Sequence, residues 1–470
     1  MPDASYKTKF IFSLISAIIY QLGSQVVVTI GNFCVYFSSY LHLYQDWVNI
    51  QSCNIVAPII ILLLAIFSPI SGIIEKRIGP KLTLLISSII VEICLVVYYF
   101  QKNLYIFCTI SLFIGIGNGI SAGVPIKNAC LYFPKRKGLI NSLIIFLGGL
   151  VSMLYILIGE KIINPEKKPI EKKNNNPVYP EDVAKRAYYY FIFSMITFPV
   201  LAIISLLLFY TYAPPKENEN GNNEQMPPQK KEPPKTNTKE IMGSFRFWRN
   251  MIIITLMPFW VYFLTATYRA YTTLIGVNQK LISYLPSIIT FLSATIGLIW
   301  GFIFDKFGFK KIIITMSIIC IILSIYFIIF IENRILYIIG LIVSTIISRV
   351  GMMSIINPHM MQVFEFRNYL IIGGFARVFN QSCFFIAALI SVLLSVKRKK
   401  AEDLKVPYRI IASVGLVLSI IGLIFSFYED DSKFFTKTED FNRENALENA
   451  HDNENNEIKT ETKREEEKNE

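Results

Sequence analysis

Long apolar stretches, each about as long as a bilayer is thick when coiled into a helix, recur along the whole chain between short polar breaks. A membrane-crossing helix needs about 20 predominantly apolar residues. Twelve segments meet that need: 10–36, 55–74, 82–100, 104–127, 139–163, 188–212, 250–272, 283–303, 311–331, 335–356, 370–396 and 408–428. Some are β-branched, as at 312–314 and 328–331, but none alternates apolar and polar positions as barrel strands do. The pattern predicts an all-α membrane protein with twelve transmembrane helices. The first is long and interrupted by Gly23, Gln25 and Gly31.

Two polar stretches organise the helices. Residues 213–244 are rich in Pro, Asn, Lys and Glu, too poor in apolar surface to fold, and read as a disordered linker. They divide the helices six and six, giving an N-terminal bundle over 1–212 and a C-terminal bundle over 245–428. Residues 429–470 hold 15 acids against 7 bases and read as a disordered acidic tail.

Composition argues against a water-soluble enzyme of several domains and excludes a disordered or fibrous protein. Of 470 residues 53% are hydrophobic and only 17% charged, where a soluble domain has about a quarter charged. Net charge is +12, and the tail contributes −8, so the rest carries +20. Basic residues flanking spans set orientation, so this excess does not call for nucleic acid. Lys7, Lys9, Lys76, Arg77, Lys81, Lys135, Arg136 and Lys137 fall on one side of the first five helices, and Lys102 alone on the other. That bias predicts cytoplasmic termini and linker, in a plasma or organellar membrane. Two outward loops, 161–186 and 397–409, are basic against the trend and are expected to gather anions at the outer mouth. The seven cysteines form no CxxC pair and read as apolar packing residues, with no metal site. No cleavable leader stands out, and the first helix is expected to act as its own insertion signal.

A repeat relates the halves. Gly72, Glu75, Lys76, Arg77, Gly79 and Lys81 lie between helices 2 and 3, and Gly301, Asp305, Lys306, Gly308 and Lys310 lie six helices on, between helices 8 and 9. Phe133-Pro-Lys-Arg136, between helices 4 and 5, is echoed by Phe364-Glu-Phe-Arg367, between helices 10 and 11. Two patterns at nearly one offset argue for duplicated six-helix halves, a transporter plan.

The segment 301–310 resembles the G-x-x-x-D-[RK]-x-G-x-[RK] loop of the major facilitator superfamily. The resemblance implies two pseudo-symmetric six-helix bundles, alternating access, and an acid that latches the halves. The first copy departs from the pattern: Glu75 sits one position early and Lys76 holds the acid's place. Gly115-Ile-Gly-Asn118-Gly119, Tyr132-Phe-Pro-Lys-Arg136-Lys-Gly138-Leu and Arg367-Asn-Tyr369 look like the oxalate–formate antiporter and monocarboxylate porter branches. That branch places cations on helices 8 and 11. Helix 8 here has none in its interior, and the helix 11 position falls on Ala376, next to Arg377.

Charges inside spans are costly and mark function. Arg349 and Arg377 are the candidate anion-binding residues, and Glu92 a candidate coupling proton site. Asn380, Gln381, Tyr36, Asn118 and Trp260 are candidates to complete the cavity, with Gln25, Asn32, Asn141, Tyr262 and Tyr268. Gly115, Gly119 and Gly123 recur every fourth residue, a close helix-packing face. No nucleotide-binding or catalytic pattern is present, so no enzyme and no cofactor is expected, and gradients must supply the energy. The expected substrate is a small organic anion, moved by antiport or proton symport by a chain functional as a monomer in lipid. A neutral amino acid or sugar, or a non-transporting sensor of the same fold, stays open.

Overall fold

The computed structural model describes residues 6–48, 52–133, 136–169, 171–173, 176–212, 238–397 and 401–429. The chain divides into two units, 1–214 with 249–431, and 215–248 with 432–470. Within the second, the described residues form the short helix Thr238–Gly243 and the beginning of the helix Phe245–Leu274.

Among the described residues twelve spans are long and apolar enough to cross a bilayer. Spans 1 to 6 are Thr8–His42, Val56–Ile78, Pro80–Phe100, Leu104–Tyr132, Lys137–Ile163 and Glu181–Leu208. Spans 7 to 12 are Phe245–Thr265, Tyr284–Phe307, Phe309–Phe330, Arg334–Val363, Asn368–Ala387 and Tyr408–Phe427. Ile93, Ile196, Ile322 and Ile329 are each more than half exposed, a belt that suits lipid and would be a liability in water. Side chains turned inward form two aromatic clusters, one per bundle. Tyr98 stacks on Phe107 and Phe37 on Phe191, each at 4.5 Å, and Tyr271 stacks on Tyr408 at 4.4 Å.

The repeat is visible in backbone detail. Asn103 caps span 4 by accepting from Tyr105 N–H, and Asn333, its counterpart in the second half, caps span 10 by accepting from Ile335 and Leu336 N–H. Both supply an acceptor to a helix start that otherwise leaves N–H groups unpaired. Three spans lose α-helical geometry inside the membrane. Span 1 passes through a 3-10 segment Thr29–Phe33, which contains Gly31. Span 4 breaks between Leu104–Ser121 and Val124–Tyr132, with Gly123 left-handed at φ +87°. Span 10 carries a wide π turn over Thr345–Val350. Interrupted spans are a feature of transporter binding sites.

Four sequence expectations change at the edges. Span 6 starts at Glu181, ahead of the apolar run, because Pro180 and two acids make a good helix start. The loop 161–186 contains a small antiparallel hairpin, Glu171–Lys173 with Asn176–Val178, so among the described residues the fold is all-α apart from this hairpin. Two of its cations are paired with acids of the same loop. Lys168 meets Asp182 at 2.8 Å and Glu166 at 3.2 Å, which holds its ammonium pKa above the usual value, and Lys185 meets Glu181. The loop 397–409 is mostly helix from Ala401 onward, with 398–400 outside the described residues, and Arg409 pairs with Glu332 at 3.0 Å. Glu429, counted with the acidic tail by its charge, is buried and belongs to the folded unit.

Candidate functional site

Glycines decide where the bundles touch. Gly72 of span 2 faces Leu370 and Ile371 at the start of span 11; a Cβ there would stand 2.9 Å from Ile371 N. Gly301 of span 8 faces span 5, where a Cβ would stand 2.5 Å from Gly138 O. The first glycine of each motif copy therefore lets one bundle's backbone approach the other. About one turn beyond Leu370 on span 11, Gly374 lies directly against the Pro69 backbone of span 2.

Polar bonds between the bundles gather on the face that carries the motif turns. Asp305 accepts from Gly138 N at 2.9 Å and Leu139 N at 2.8 Å, across to the other half. It thus places a carboxylate at the N-terminus of the helix Lys137–Ile163, where N–H groups are unpaired and the dipole favours an anion. In the first copy the acid's place is taken by Lys76, whose Nζ donates to Asn368 Oδ1 at 3.1 Å at the start of span 11. Glu75 stays within its own half, accepting from Lys127 through both oxygens at 3.0 Å. Of the other motif residues, Arg77 and Lys306 are exposed, while Gly79 and Gly308 sit at positive φ in the turns. Deeper in, Asn141 Nδ2 donates to Ser354 O at 3.1 Å, and Asn357 Nδ2 donates to Asn141 Oδ1 at 3.3 Å. The molecule is closed on this face.

At the inner end of that closure lies Arg377. Its Nη1 donates to Ser68 Oγ at 2.9 Å, and its Nη2 to Tyr369 Oη at 3.3 Å. Ser68 is the midpoint region of span 2, so the guanidinium is deep in the membrane. Gly123 makes room for it: a Cβ there would stand 2.9 Å from Nη2 and 3.1 Å from Nη1. The sequence reads Gly123 as the third member of a packing face. Gly115 and Gly119 do pack on span 2, against Ile60, Leu63 and Leu64, but Gly123 serves the break in span 4. Among the described residues no carboxylate pairs with Arg377. A guanidinium has five N–H donors, so a half-buried cation here retains capacity for an anion.

The remaining candidates disperse. Arg349 lies on the π turn of span 10, and its side chain is outside the described residues. Asn118, on span 4 before the break, is 5% exposed and its Nδ2 has no partner. Trp260 is fully buried against Gly415 of span 12 and Phe327 of span 9, where its broad apolar ring fills the space a glycine leaves. Asn380 is spent inside the C-terminal bundle, accepting from Tyr262 Oη and donating to Ile254 O at 3.3 Å, while Gln381 is half-buried. Tyr36 donates to Glu160 at 2.9 Å and stacks on Tyr179 at 4.5 Å, tying span 1 to the end of span 5 away from the motif face. Glu92 is half-buried on span 3, its Oε2 without a hydrogen-bond partner. Gln21 and Gln25, one turn apart on span 1, lie beside Gly148 of span 5. No three metal-binding side chains cluster among the described residues.

Sequence reasoning missed a buried ionic group. Arg249, near the start of span 7, donates to Glu429 just beyond span 12, with Nε and Nη2 both at 2.9 Å from Oε2. Asn250 Nδ2 lies 3.5 Å from the other oxygen, and His359, 3.7 Å from it, stacks on Phe309. Its members come from distant parts of the chain, and only a glutamate closing an apolar run hinted at it.

The Major Facilitator Superfamily profile matches residues 15–392. No curated protein matches the chain in sequence. Among solved structures, the E. coli fucose:proton symporter FucP is similar with TM-score 0.60 at 11% identity, covering 92% of this chain and all of that one. The nucleoside transporter NupG is similar with TM-score 0.55 at 12% identity, covering 87% of this chain and 99% of that one.

Proposed function

The chain belongs to the major facilitator superfamily, whose members are transporters, and we propose that it moves a small organic anion across the membrane by alternating access. One observation carries the anion reading: Arg377 lies deep between the bundles, bonded to two neutral hydroxyls and to no carboxylate among the described residues. A guanidinium in that position is costly unless an anion completes it, and its planar fork suits a carboxylate. In this reading Arg349, one span earlier, supplies the second cation when the bundles rearrange. Glu92 takes up the coupling proton if transport is symport. The protein works as a monomer, with the motif face cytoplasmic.

A second reading, a neutral amino acid or sugar, draws on the unpartnered Asn118 amide and on the glutamine pair of span 1. Uptake into proteoliposomes of labelled formate, oxalate, lactate, alanine and glucose decides between them. Saturable flux of an acid that Arg377→Gln abolishes supports the anion reading. Flux confined to glucose or alanine would replace it, and ligand binding without any flux would indicate a sensor.

A further inference from the structure

Arg377 makes a bond that a bound anion would contest. Its partner Ser68 belongs to the other bundle, so the 2.9 Å bond is part of what keeps the motif face closed. Tyr369 is different: it lies on the same helix, eight residues before Arg377, and moves with it. A carboxylate makes charge-assisted and often bidentate bonds to a guanidinium, stronger than those of a neutral hydroxyl. An anion that takes the fork therefore displaces Ser68 more readily than Tyr369.

Ser68 also stands at the head of a continuous seam. Ser68, Gly72 and Lys76 are four residues apart on span 2 and so share one helix face. That face meets span 11 three times: Ser68 at Arg377, Gly72 at Leu370 and Ile371, and Lys76 at Asn368. Freeing the innermost contact exposes the next.

Resting on the anion reading above, we infer that substrate binding unlatches the motif face by competition: the anion takes Arg377 from Ser68, and the span 2–span 11 seam opens from its membrane-centre end. Ser68 is the latch and Tyr369 a positioning residue that keeps the guanidinium aimed. Linkage then works in both directions. A chain without the Ser68 hydroxyl opens more easily, and it also binds the anion more tightly, because nothing competes. A hydrogen bond to a charged group corresponds to roughly a tenfold or larger change in such an equilibrium.

The test uses the full chain in lipid nanodiscs, with spin labels at Lys81 and Lys311, exposed positions beside the two motif turns in different halves. Distances are measured with and without formate, oxalate or lactate, and affinities for the same acids by calorimetry. Expected are an open fraction in Ser68→Ala and Ser68→Gly raised about tenfold without ligand, affinity raised several-fold, and Ser68→Thr close to wild type. If the acids bind and Arg377→Gln abolishes their binding, but neither Ser68 variant changes opening or affinity, the latch is overturned while the anion reading stands. If Arg377→Gln leaves binding intact, or none of the acids binds, the anion reading falls and the competition with it. An unliganded shift in the Ser68 variants would then support only a structural clasp, overturning the coupling.

Discussion

Gly79 and Gly308, at equivalent places in the two motif copies, adopt the same unusual backbone conformation, φ +83° and ψ 162° in one and φ +77° and ψ 171° in the other. Positive φ with extended ψ is a region essentially reserved for glycine. Each turns the chain sharply between two spans, so the duplication has kept a backbone angle as well as a residue.

Gly79 has nothing within 4 Å of where a Cβ would stand, which isolates the backbone cost. Gly79→Ala and Gly79→Asn should each cost about 2 kcal/mol. Asparagine should bring no relief, because its tolerance is for the left-handed helical region. Thermal unfolding of the purified variants measures this, and a fully stable Gly79→Ala would show that the turn relaxes.

Asp305 uses both oxygens as acceptors, so Asp305→Asn replaces one of them with a donor facing a donor. We expect the closed motif face to lose about 2 kcal/mol, with a matching gain in alkylation of a cysteine placed at Ser142. Glu75→Gln, which acts within one half, should change that accessibility far less. Equal effects would remove the distinction between the two motif copies.

Breaking the Arg249–Glu429 pair leaves a buried charge uncompensated, at about 3–5 kcal/mol for either alanine variant. The double variant should be less destabilised than the two single losses summed. A chain ending after Asp431 should keep wild-type stability and one ending after Phe427 should not. Equal stability of the two truncations would remove Glu429 from the folded core.

Trp260 packs where Gly415 lacks a side chain; a Cβ there would stand 2.5 Å from its ring. Gly415→Ala should cost about 1–3 kcal/mol by overpacking, with KM for the transported solute unchanged. A rise in KM at unchanged stability would return Trp260 to the binding site.

From the charge bias of the early loops we propose that both termini and the linker lie on the cytoplasmic side. Protease added outside sealed, right-side-out vesicles should leave the linker and tail intact, and external cleavage of either would invert the topology.

Sequence alone determined the number of spans, the duplication and the membrane, because each is a property of local pattern. A bilayer demands an apolar run of fixed length, and a sharp turn demands a glycine, wherever the rest of the chain goes. Gly79 and Gly308 were legible for that reason, and so was the cost of Arg377 as an intramembrane charge. The partners of these residues were not. Whether Arg377 meets an acid, a hydroxyl or open space depends on span 2 and on the break at Gly123, both far away along the chain. Trp260 and Asn380 look on paper like cavity residues, but the rotation of their helices, set by packing against spans 9, 12 and 7, turns them into the core. Glu429 carried the charge of a tail and took the place of a core residue, because Arg249 could reach it. Helix rotation and pairing across the bundles are decided by the summed contacts of many side chains, and only the tertiary structure adds them.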